Sequence, residues 1–266
     1  MWLKLLYLLI AVITLYILIT AIIFLLQRKF IFHPEPLTKD YTYDFPIPFE
    51  EYFIPGYDGT PINALLFKTP NPKGVIIYHH GNAGNLDRWG ATATDFTSKG
   101  YDVLHYDYRG YGKTPGKPTQ RKLYKDAISV TNFVSEQYKG LPIIQYGRSL
   151  GSCMAARTAV KTNAPLLILE TPYYSMTAMA KKTVPWVPHA FILRFPLPTF
   201  KHVKKYKGPL YIFHGTDDEL IPYKQAKKLS KKHPQAVFTT ISGAMHGNIS
   251  EYPVYHDTLS EALETF

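Results

Sequence analysis

Pro142-Ile-Ile-Gln-Tyr-Gly147-Arg-Ser149-Leu-Gly151 is a short apolar run that stops at a Gly-x-Ser-x-Gly pattern, and a helix-forming run over residues 152–160 follows it. This order predicts a strand, a sharp turn and a helix. A serine on such a turn has a strained backbone, and the flanking glycines let the strand and the helix pass closely. The hydroxyl of Ser149 would then project into a cleft. The amide of Leu150 would point to the same place, as one half of an oxyanion hole.

Short apolar runs alternate with helical patterns on both sides of this turn. Such alternation implies right-handed crossovers and a mainly parallel sheet with helices on both faces, so the predicted fold class is α/β. A turn signal at residues 56–60 predicts an antiparallel hairpin between runs 51–54 and 62–67. The other predicted strands are 75–78, 103–106, 143–146, 166–169, 210–213 and 237–241, and the predicted helices are 89–99, 123–138, 149–161, 223–232 and 252–266.

The N-terminal part of the chain predicts a membrane anchor. Residues 5–26 carry no charge and would span about 33 Å as a helix, slightly more than a bilayer's hydrocarbon core. A cleaved signal peptide is the alternative, but the apolar stretch is long for one and Gln27-Arg28-Lys29-Phe30 has no small-residue cleavage site. Lys4 on one side nearly balances Arg28 and Lys29 on the other, so the sequence leaves the side of the membrane undecided.

The rest of the chain suits a single domain, because about 240 residues follow the apolar run. We expect an anchor at 1–29, a proline-rich linker at 30–49 and an α/β domain at 50–266. Residues 171–207 interrupt the alternation with aromatic residues and prolines, which predicts a cap over the cleft. The apolar content of this cap suits an acyl chain or a membrane surface, or else simple packing on the domain beneath.

Polar motifs follow several predicted strands, and ligands bind beyond the carboxyl ends of parallel strands. Residues 79–85 follow one strand, and the second oxyanion amide is expected at Asn82. His80 is expected to order this loop by hydrogen bonding. Residues 107–116 follow another strand and suit a rigid wall, with Arg109 bracing loops.

A serine–histidine pair needs a carboxylate that fixes the imidazole, and the expected chain order is serine, acid, histidine. Asp217 and Asp218 follow the strand at 210–213, and both could alternatively cap a helix. His246 lies in a glycine-flanked loop after the last predicted strand, where an imidazole could reach the serine. His256, inside the C-terminal helix, is the runner-up.

These motifs together resemble the α/β-hydrolase family, in particular its membrane-anchored depalmitoylase-like, lysophospholipase-like and serine aminopeptidase-like members. The resemblance covers about residues 50–265. In the family's His-Gly-x-x-Asp-x-x-Val-Pro pattern the aspartate falls on Asp218, which implies a triad of Ser149, Asp218 and His246. Two departures are Ile221 before the proline and Ala-Met-His where Gly-Gly-His is commoner. The motifs that carry the resemblance are His-Gly-Asn-Ala-Gly at 80–84, Asp-Tyr-Arg-Gly-Tyr-Gly at 107–112, Gly-Arg-Ser-Leu-Gly at 147–151, His-Gly-Thr-Asp-Asp at 214–218 and Ala-Met-His at 244–246.

The expected function is therefore that of a single-pass, membrane-anchored serine hydrolase acting on an ester or thioester of an acyl chain. A serine aminopeptidase-type peptidase and a catalytically silent interaction protein are the alternatives. The net charge of +10 favours anionic lipid as a partner, with a solvated basic face as the alternative, and nucleic acid is not expected. No metal or other cofactor is expected, since ligand motifs are lacking. The single cysteine, Cys153, excludes an intrachain disulfide and suits packing.

Overall fold

The computed structural model describes residues 1–264, which contain an eight-stranded sheet. The strands are β1 (Phe49–Pro55), β2 (Pro61–Phe67), β3 (Val75–His79), β4 (Asp102–Tyr106), β5 (Ile143–Arg148), β6 (Leu167–Glu170), β7 (Leu210–Gly215) and β8 (Val237–Ile241). Their order in the sheet is β1-β2-β4-β3-β5-β6-β7-β8. β1 pairs antiparallel with β2, and β2 antiparallel with β4, whereas every other pair is parallel. The predicted α/β class and the predicted hairpin are confirmed.

Helices cover both faces of this sheet. The region expected to form one helix at 89–99 is instead two short helices joined by a 3₁₀ turn at Gly90–Ala93, because glycine and several threonines weaken a continuous helix there. The predicted C-terminal helix starts at Pro253, and its last two residues, 265–266, lie outside the described residues. The helices are α1 (Trp2–Ile31), α2 (Leu86–Trp89), α3 (Thr94–Thr97), α4 (Gln120–Gln137), α5 (Gly151–Thr162), α6 (Met176–Thr183), α7 (His189–Ile192), α8 (Thr199–Val203), α9 (Tyr223–Ser230) and α10 (Pro253–Glu264).

The core lies on the two faces of the sheet. Successive residues of a strand point to opposite faces, and the central strands follow this rule with apolar residues on both sides. Leu65 and Ile76 pack in one core cluster, whereas Leu66 and Ile77 pack in the other. A sheet buried on both faces exposes its strand ends, and the polar loops after those ends are free to form a site.

α1 is 30 residues long, which corresponds to about 45 Å. It is long and apolar enough to cross a membrane, and it is the one such helix in residues 1–264. Its most apolar window has no residue buried inside the protein. The apolar surface that this window exposes suits a lipid environment.

The segment after α1, which we expected to be a proline-rich linker, packs on the α/β domain. The side chains of Phe32 and Tyr43 are buried, and the hydroxyl of Tyr43 donates to Asn63 at 2.8 Å. His33–Pro34 pairs in parallel with Ala83–Gly84, in the loop after β3. The prolines prevent longer strands, as expected, but the segment still fixes the end of α1 against the domain.

The start of α5 passes very close to the end of β3. A Cβ atom added at Gly151 would lie 1.8 Å from the carbonyl oxygen of His79. We therefore expect Gly151→Ala to lower the free energy of unfolding by about 1–3 kcal/mol or more, the cost of overpacking a tight site. Thermal and denaturant unfolding of the detergent-solubilised protein would measure this loss. Gly247→Ala is the matched control, because that Cβ would meet no atom within 4 Å. Equal stability of the two variants would contradict the role of Gly151.

Candidate active site

The turn between β5 and α5 carries Ser149 in a left-handed conformation, with φ of 51°. Such a conformation is strained for any residue except glycine and persists only where the surroundings enforce it. Here the amide of Ser149 donates to the carbonyl of Glu170 at 2.9 Å, and the amide of Ser152 donates back to the carbonyl of Ser149 at 3.0 Å. These bonds hold the predicted strand–turn–helix arrangement.

Three predicted site residues meet at the carboxyl edge of the sheet. The Nε2 atom of His246 lies 3.1 Å from the Oγ atom of Ser149, and its Nδ1 atom lies 2.8 Å from Oδ2 of Asp218. Ser149 follows β5, Asp218 follows β7 and His246 follows β8. Because Asp218 accepts at Nδ1, that nitrogen carries the hydrogen and Nε2 is free to accept from the serine hydroxyl.

The competing residues lie elsewhere. Asp217 is exposed, and its Oδ1 accepts from the hydroxyl of Thr216 at 2.7 Å. The Nε2 atom of His256 bonds the carbonyl of Ser250 at 2.7 Å, near the start of α10. The carboxylate that bonds Nδ1 of His246 is that of Asp218, and the imidazole that faces Ser149 is that of His246.

Asp218 is held as a buried carboxylate. Its Oδ1 accepts from the amides of Leu220 and Ile221, at 3.0 and 2.7 Å, and its Oδ2 also faces Nε2 of His214 at 3.2 Å. Burial alone would raise the pKa of this carboxyl, but hydrogen bonds from His214 and His246 outweigh burial and hold it well below its usual range. His214 was not singled out from the sequence. Its four-residue spacing from Asp218 was the available signal.

Asn82 and Leu150, the predicted oxyanion residues, line one cleft with Ser149 and His246. The Nδ1 atom of His80 donates to the carbonyl of Gly81 at 2.7 Å, as expected of a loop-ordering residue. That carbonyl belongs to the same planar peptide as the amide of Asn82, so fixing the carbonyl also fixes the direction of the amide. Burial lowers the pKa of His80 to about 3, which keeps the imidazole neutral.

Arg148, the second residue of the Gly-x-Ser-x-Gly pattern, holds the loop that carries His246. Its Nε lies 3.1 Å from Oε1 of Glu170, and its Nη2 donates to the carbonyls of His246 and Gly247, at 3.3 and 3.2 Å. The guanidinium also lies over the ring of Trp89. Sequence reasoning missed this role because a variable position in the pattern gives no signal.

Arg109 lies away from the cleft, as expected of a residue that braces loops. Its guanidinium binds both carboxylate oxygens of Asp126, at 2.7 and 2.8 Å, and also pairs with Asp58. Cys153 is buried beside Tyr124, and burial raises the pKa of its thiol to about 11, which is unsuited to a nucleophile. Within residues 1–264, no group of three or more metal-ligating side chains is found.

The cleft above Ser149 has a volume of about 180 Å³ and mainly apolar walls. One wall comes from the end of α1, a second from the predicted cap and a third from the loop after β7. The apolar lining residues are Phe30, Ile31, Leu150, Tyr173, Met176, Met179, Leu220 and Ile221.

Similarity to known proteins agrees with this architecture. Residues 70–199 match the family described as serine aminopeptidase, S33. An α/β-hydrolase domain-containing protein of Caenorhabditis elegans, aho-3, is 28% identical over 211 residues, which are 76% of this chain and 60% of that protein. The human α/β-hydrolase domain-containing protein 17B is 29% identical over 201 residues, which are 73% of this chain and 67% of that protein. The chain thus spans less than two thirds of the length of aho-3.

Solved structures share the fold. An esterase from Pyrococcus furiosus superimposes with a TM-score of 0.69 at 19% identity, covering 88% of this chain and 97% of that one. Est1E from Butyrivibrio proteoclasticus gives a TM-score of 0.65 at 20% identity, covering 82% and 97%. The strand order and the serine-bearing turn define the α/β-hydrolase class of architecture. The chain therefore has the α/β-hydrolase fold, and its sequence is similar to α/β-hydrolase domain-containing proteins.

The low pKa of Asp218 predicts that the stability of the protein depends on pH in the acid range. A carboxyl whose pKa is lowered on folding stabilises the protein above its unfolded pKa, near 3.8, and that contribution is lost as the pH falls through the folded value. We expect the melting temperature of Asp218→Asn to fall less steeply than that of wild type between pH 5 and pH 3. Thermal unfolding across this range measures the difference. Asp217→Asn is the matched control and should follow wild type, and parallel curves for wild type and Asp218→Asn would contradict the argument.

Proposed function

We propose that the protein is a membrane-anchored serine hydrolase that cleaves carboxylic ester or thioester bonds of acyl-chain substrates. The observation that carries this proposal is the hydrogen-bonded chain from Ser149 through His246 to Asp218 at the base of an apolar cleft. In each of these three residues, the atom that faces the neighbouring residue is the one that general-base activation of a serine requires.

In the proposed reaction, Ser149 attacks the carbonyl carbon of the substrate while Nε2 of His246 takes the hydroxyl proton. Asp218 accepts from Nδ1 and stabilises the imidazolium that forms. The amides of Asn82 and Leu150 donate to the oxyanion. His246 then gives its proton to the leaving alcohol or thiol, and a water activated by the same imidazole hydrolyses the acyl-enzyme.

The acyl part of the proposal rests on the cleft lining. A hydrocarbon chain gains free energy from contact with side chains such as Met176, Met179 and Ile221, at about 25 cal/mol per Å² of apolar surface buried. A small polar ester gains little from such walls. The end of α1 forms one of these walls, which puts the reacting serine beside the proposed anchor.

Membrane lipid is the second proposed partner. Arg28 and Lys29 lie in the last turn of α1, directly after its uncharged stretch. Cations at this position sit near the headgroups of a bilayer, where each can contribute about 1 kcal/mol of attraction to anionic lipid. The α1 surface itself would supply the apolar part of the attachment.

The proposal predicts that an alkyl fluorophosphonate labels the wild-type protein and that Ser149→Ala abolishes the labelling. Only an activated serine attacks such a phosphorus centre rapidly. Ester turnover should fall by roughly 10⁶, as in other triads that lose their nucleophile. In-gel fluorescence and hydrolysis of p-nitrophenyl esters measure the two effects.

Ser152→Ala is the control for this experiment. Its hydroxyl is buried and bonds the carbonyl of Gly147 at 3.3 Å, so it has no access to substrate. Labelling that survives Ser149→Ala, or an inert wild-type protein, would refute the proposed hydrolase.

A serine aminopeptidase is the second candidate, and the family match at residues 70–199 is the observation in its favour. Such a peptidase needs a carboxylate that pairs with a free amino terminus. Among the described residues that line the cleft, none is acidic. Glu219 is close by, and its Oε2 accepts from the amide of His246 at 3.3 Å.

Glu219→Gln separates the two candidates. For an esterase we expect less than about a threefold change in kcat/KM, because the lost bond is a peripheral one. For a peptidase, loss of the charge that pairs with the amino terminus would cost roughly 10-fold to 100-fold. Parallel assays of acyl esters and aminoacyl-p-nitroanilides give the answer. Hydrolysis of the anilides that depends on Glu219 would favour the peptidase.

A further inference from the structure

A second apolar cavity, of about 390 Å³, adjoins the nucleophile cleft. We call it the anchor groove, because α1 forms one wall and the cap helices α6 and α7 form the other. Four residues line both the anchor groove and the cleft, namely Phe30, Ile31, Met176 and Met179. The two spaces therefore adjoin, and an apolar path leads from Ser149 along the surface of α1.

The α1 wall follows one helix face. Ile23, Gln27, Phe30 and Ile31 recur at the spacing of residues that share a face. Gln27 is buried, and its Nε2 donates to the carbonyl of Ile192 at 2.6 Å while its Oε1 accepts from the amide of Arg194 at 2.9 Å. These two bonds fasten α1 to the cap. They also satisfy the hydrogen-bonding atoms of the Gln27 side chain, so a ligand in the groove need not offer it a polar group.

The remaining lining is almost wholly apolar. The hydroxyl of Thr183 bonds back to the carbonyl of Met179 at 3.4 Å. Nε2 of His189 is buried and has no hydrogen-bond partner among the described residues. The groove thus offers a ligand one unpartnered nitrogen among some dozen side chains that are apolar or already hydrogen-bonded. A peptide would bury an unpaired amide at every residue there, so the lining favours a hydrocarbon ligand.

The cap beside the groove has the composition of a membrane-inserted segment. Residues 184–193 contain no Lys, Arg, Asp or Glu, and Lys182 and Arg194 flank them. Trp186 and Phe191 are 50% and 89% exposed. The carbonyl of Trp186 accepts from the hydroxyl of Tyr16, so the cap follows α1 for 15 residues, about 22 Å, back from Ile31. If α1 crosses a bilayer, this part of the cap lies beside it in the bilayer.

We propose that the anchor groove is the acyl-chain site, and that the chain of a membrane-resident substrate enters it sideways from the bilayer between α1 and the cap. This inference rests on the proposed hydrolase function and specifies where its substrate binds. The scissile carbonyl lies at Ser149 and the hydrocarbon runs along the face of α1 that carries Ile23. α1 is then a wall of the substrate site as well as an anchor.

Chain length is the first measurable consequence. Each methylene that enters an apolar site adds roughly fourfold to kcat/KM. We expect kcat/KM of the full-length protein in mixed micelles to rise by about 100-fold or more from p-nitrophenyl butyrate to the laurate. A profile that stays flat between these two esters would overturn the proposal.

Obstructing the groove from either wall is the direct test. Ile23→Trp fills it from α1 and Ala180→Trp fills it from α6. Each should lower the ratio of laurate to butyrate kcat/KM by about 10-fold or more, because at least two methylenes lose their contacts. Ile22→Trp and Thr177→Trp are the matched controls on the same helices, since neither residue lines the groove, and their ratios should equal that of wild type.

A covalent probe gives a second readout that does not depend on turnover. A long alkyl fluorophosphonate with a diazirine on its terminal carbon is attached to Ser149 and then photolysed, and mass spectrometry maps the crosslink. We expect adducts on groove residues of α1 and α6–α7. Adducts on the face of α1 that carries Leu25, or on the domain surface, would overturn the proposal even if the tryptophan variants lose activity through misfolding.

The outcomes separate the groove from the hydrolase. Failure of the probe to label Ser149, together with no hydrolysis of either ester, refutes the proposed function. Labelling of Ser149 and hydrolysis of butyrate, with unchanged ratios in Ile23→Trp and Ala180→Trp, refutes only the groove. A gap that is filled by detergent or bulk lipid and does not take part in binding gives this second result.

Discussion

The contact between Gly151 and the carbonyl of His79 is the constraint on which the site depends. Because α5 starts this close to the end of β3, the turn between β5 and α5 leaves no room for an extended conformation at Ser149, which has φ of 51°. Gly215 makes a comparable contact, since a Cβ there would lie 2.0 Å from the carbonyl of Ala244. The first contact places Ser149 just beyond the carboxyl edge of the sheet. The second contact places the loop after β8 beside Asp218, so that the imidazole of His246 lies between Asp218 and Ser149.

The segment that follows α1 couples that helix to the loop after β3, which carries Asn82. The amide of His33 donates to the carbonyl of Asn82 at 2.8 Å, and Nδ2 of Asn82 donates to the carbonyl of Ile31 at 3.3 Å. The amide of Glu35 donates to the carbonyl of Gly84. A loop of this kind would otherwise be mobile, because glycine permits many conformations. Its order therefore depends partly on residues outside the sheet and the helices that cover it.

Much of the fold and the core of the site could be predicted from the sequence. Apolar runs between helical patterns predicted the strands. The polar motifs after β5, β7 and β8 indicated Ser149, Asp217 or Asp218, and His246, because the carboxyl ends of parallel strands share one edge. The choice of Asp218 over Asp217 came from the resemblance to the α/β-hydrolase family. The ends of the other elements shifted by at most three residues, and the helix expected at 89–99 broke at Gly90. The roles of Arg148 and Gln27 could not be predicted from the sequence. Each depends on a partner, or on burial, that only the folded chain supplies, and the proline-rich segment 30–49 docks for the same reason.

The two hydrogen bonds of Gln27 also bear on where Ser149 would lie relative to a membrane crossed by α1. A domain joined to its helix by a flexible segment would sample a range of heights above a bilayer. Here these bonds and the packed segment after Ile31 hold the end of α1 against the domain. With α1 seated in a membrane, the height of Ser149 along the bilayer normal is fixed. That height would then determine which bonds of a membrane molecule Ser149 can reach. Two membrane molecules with the same bond and the same acyl chain would differ as substrates solely by how far that bond sits from the bilayer midplane.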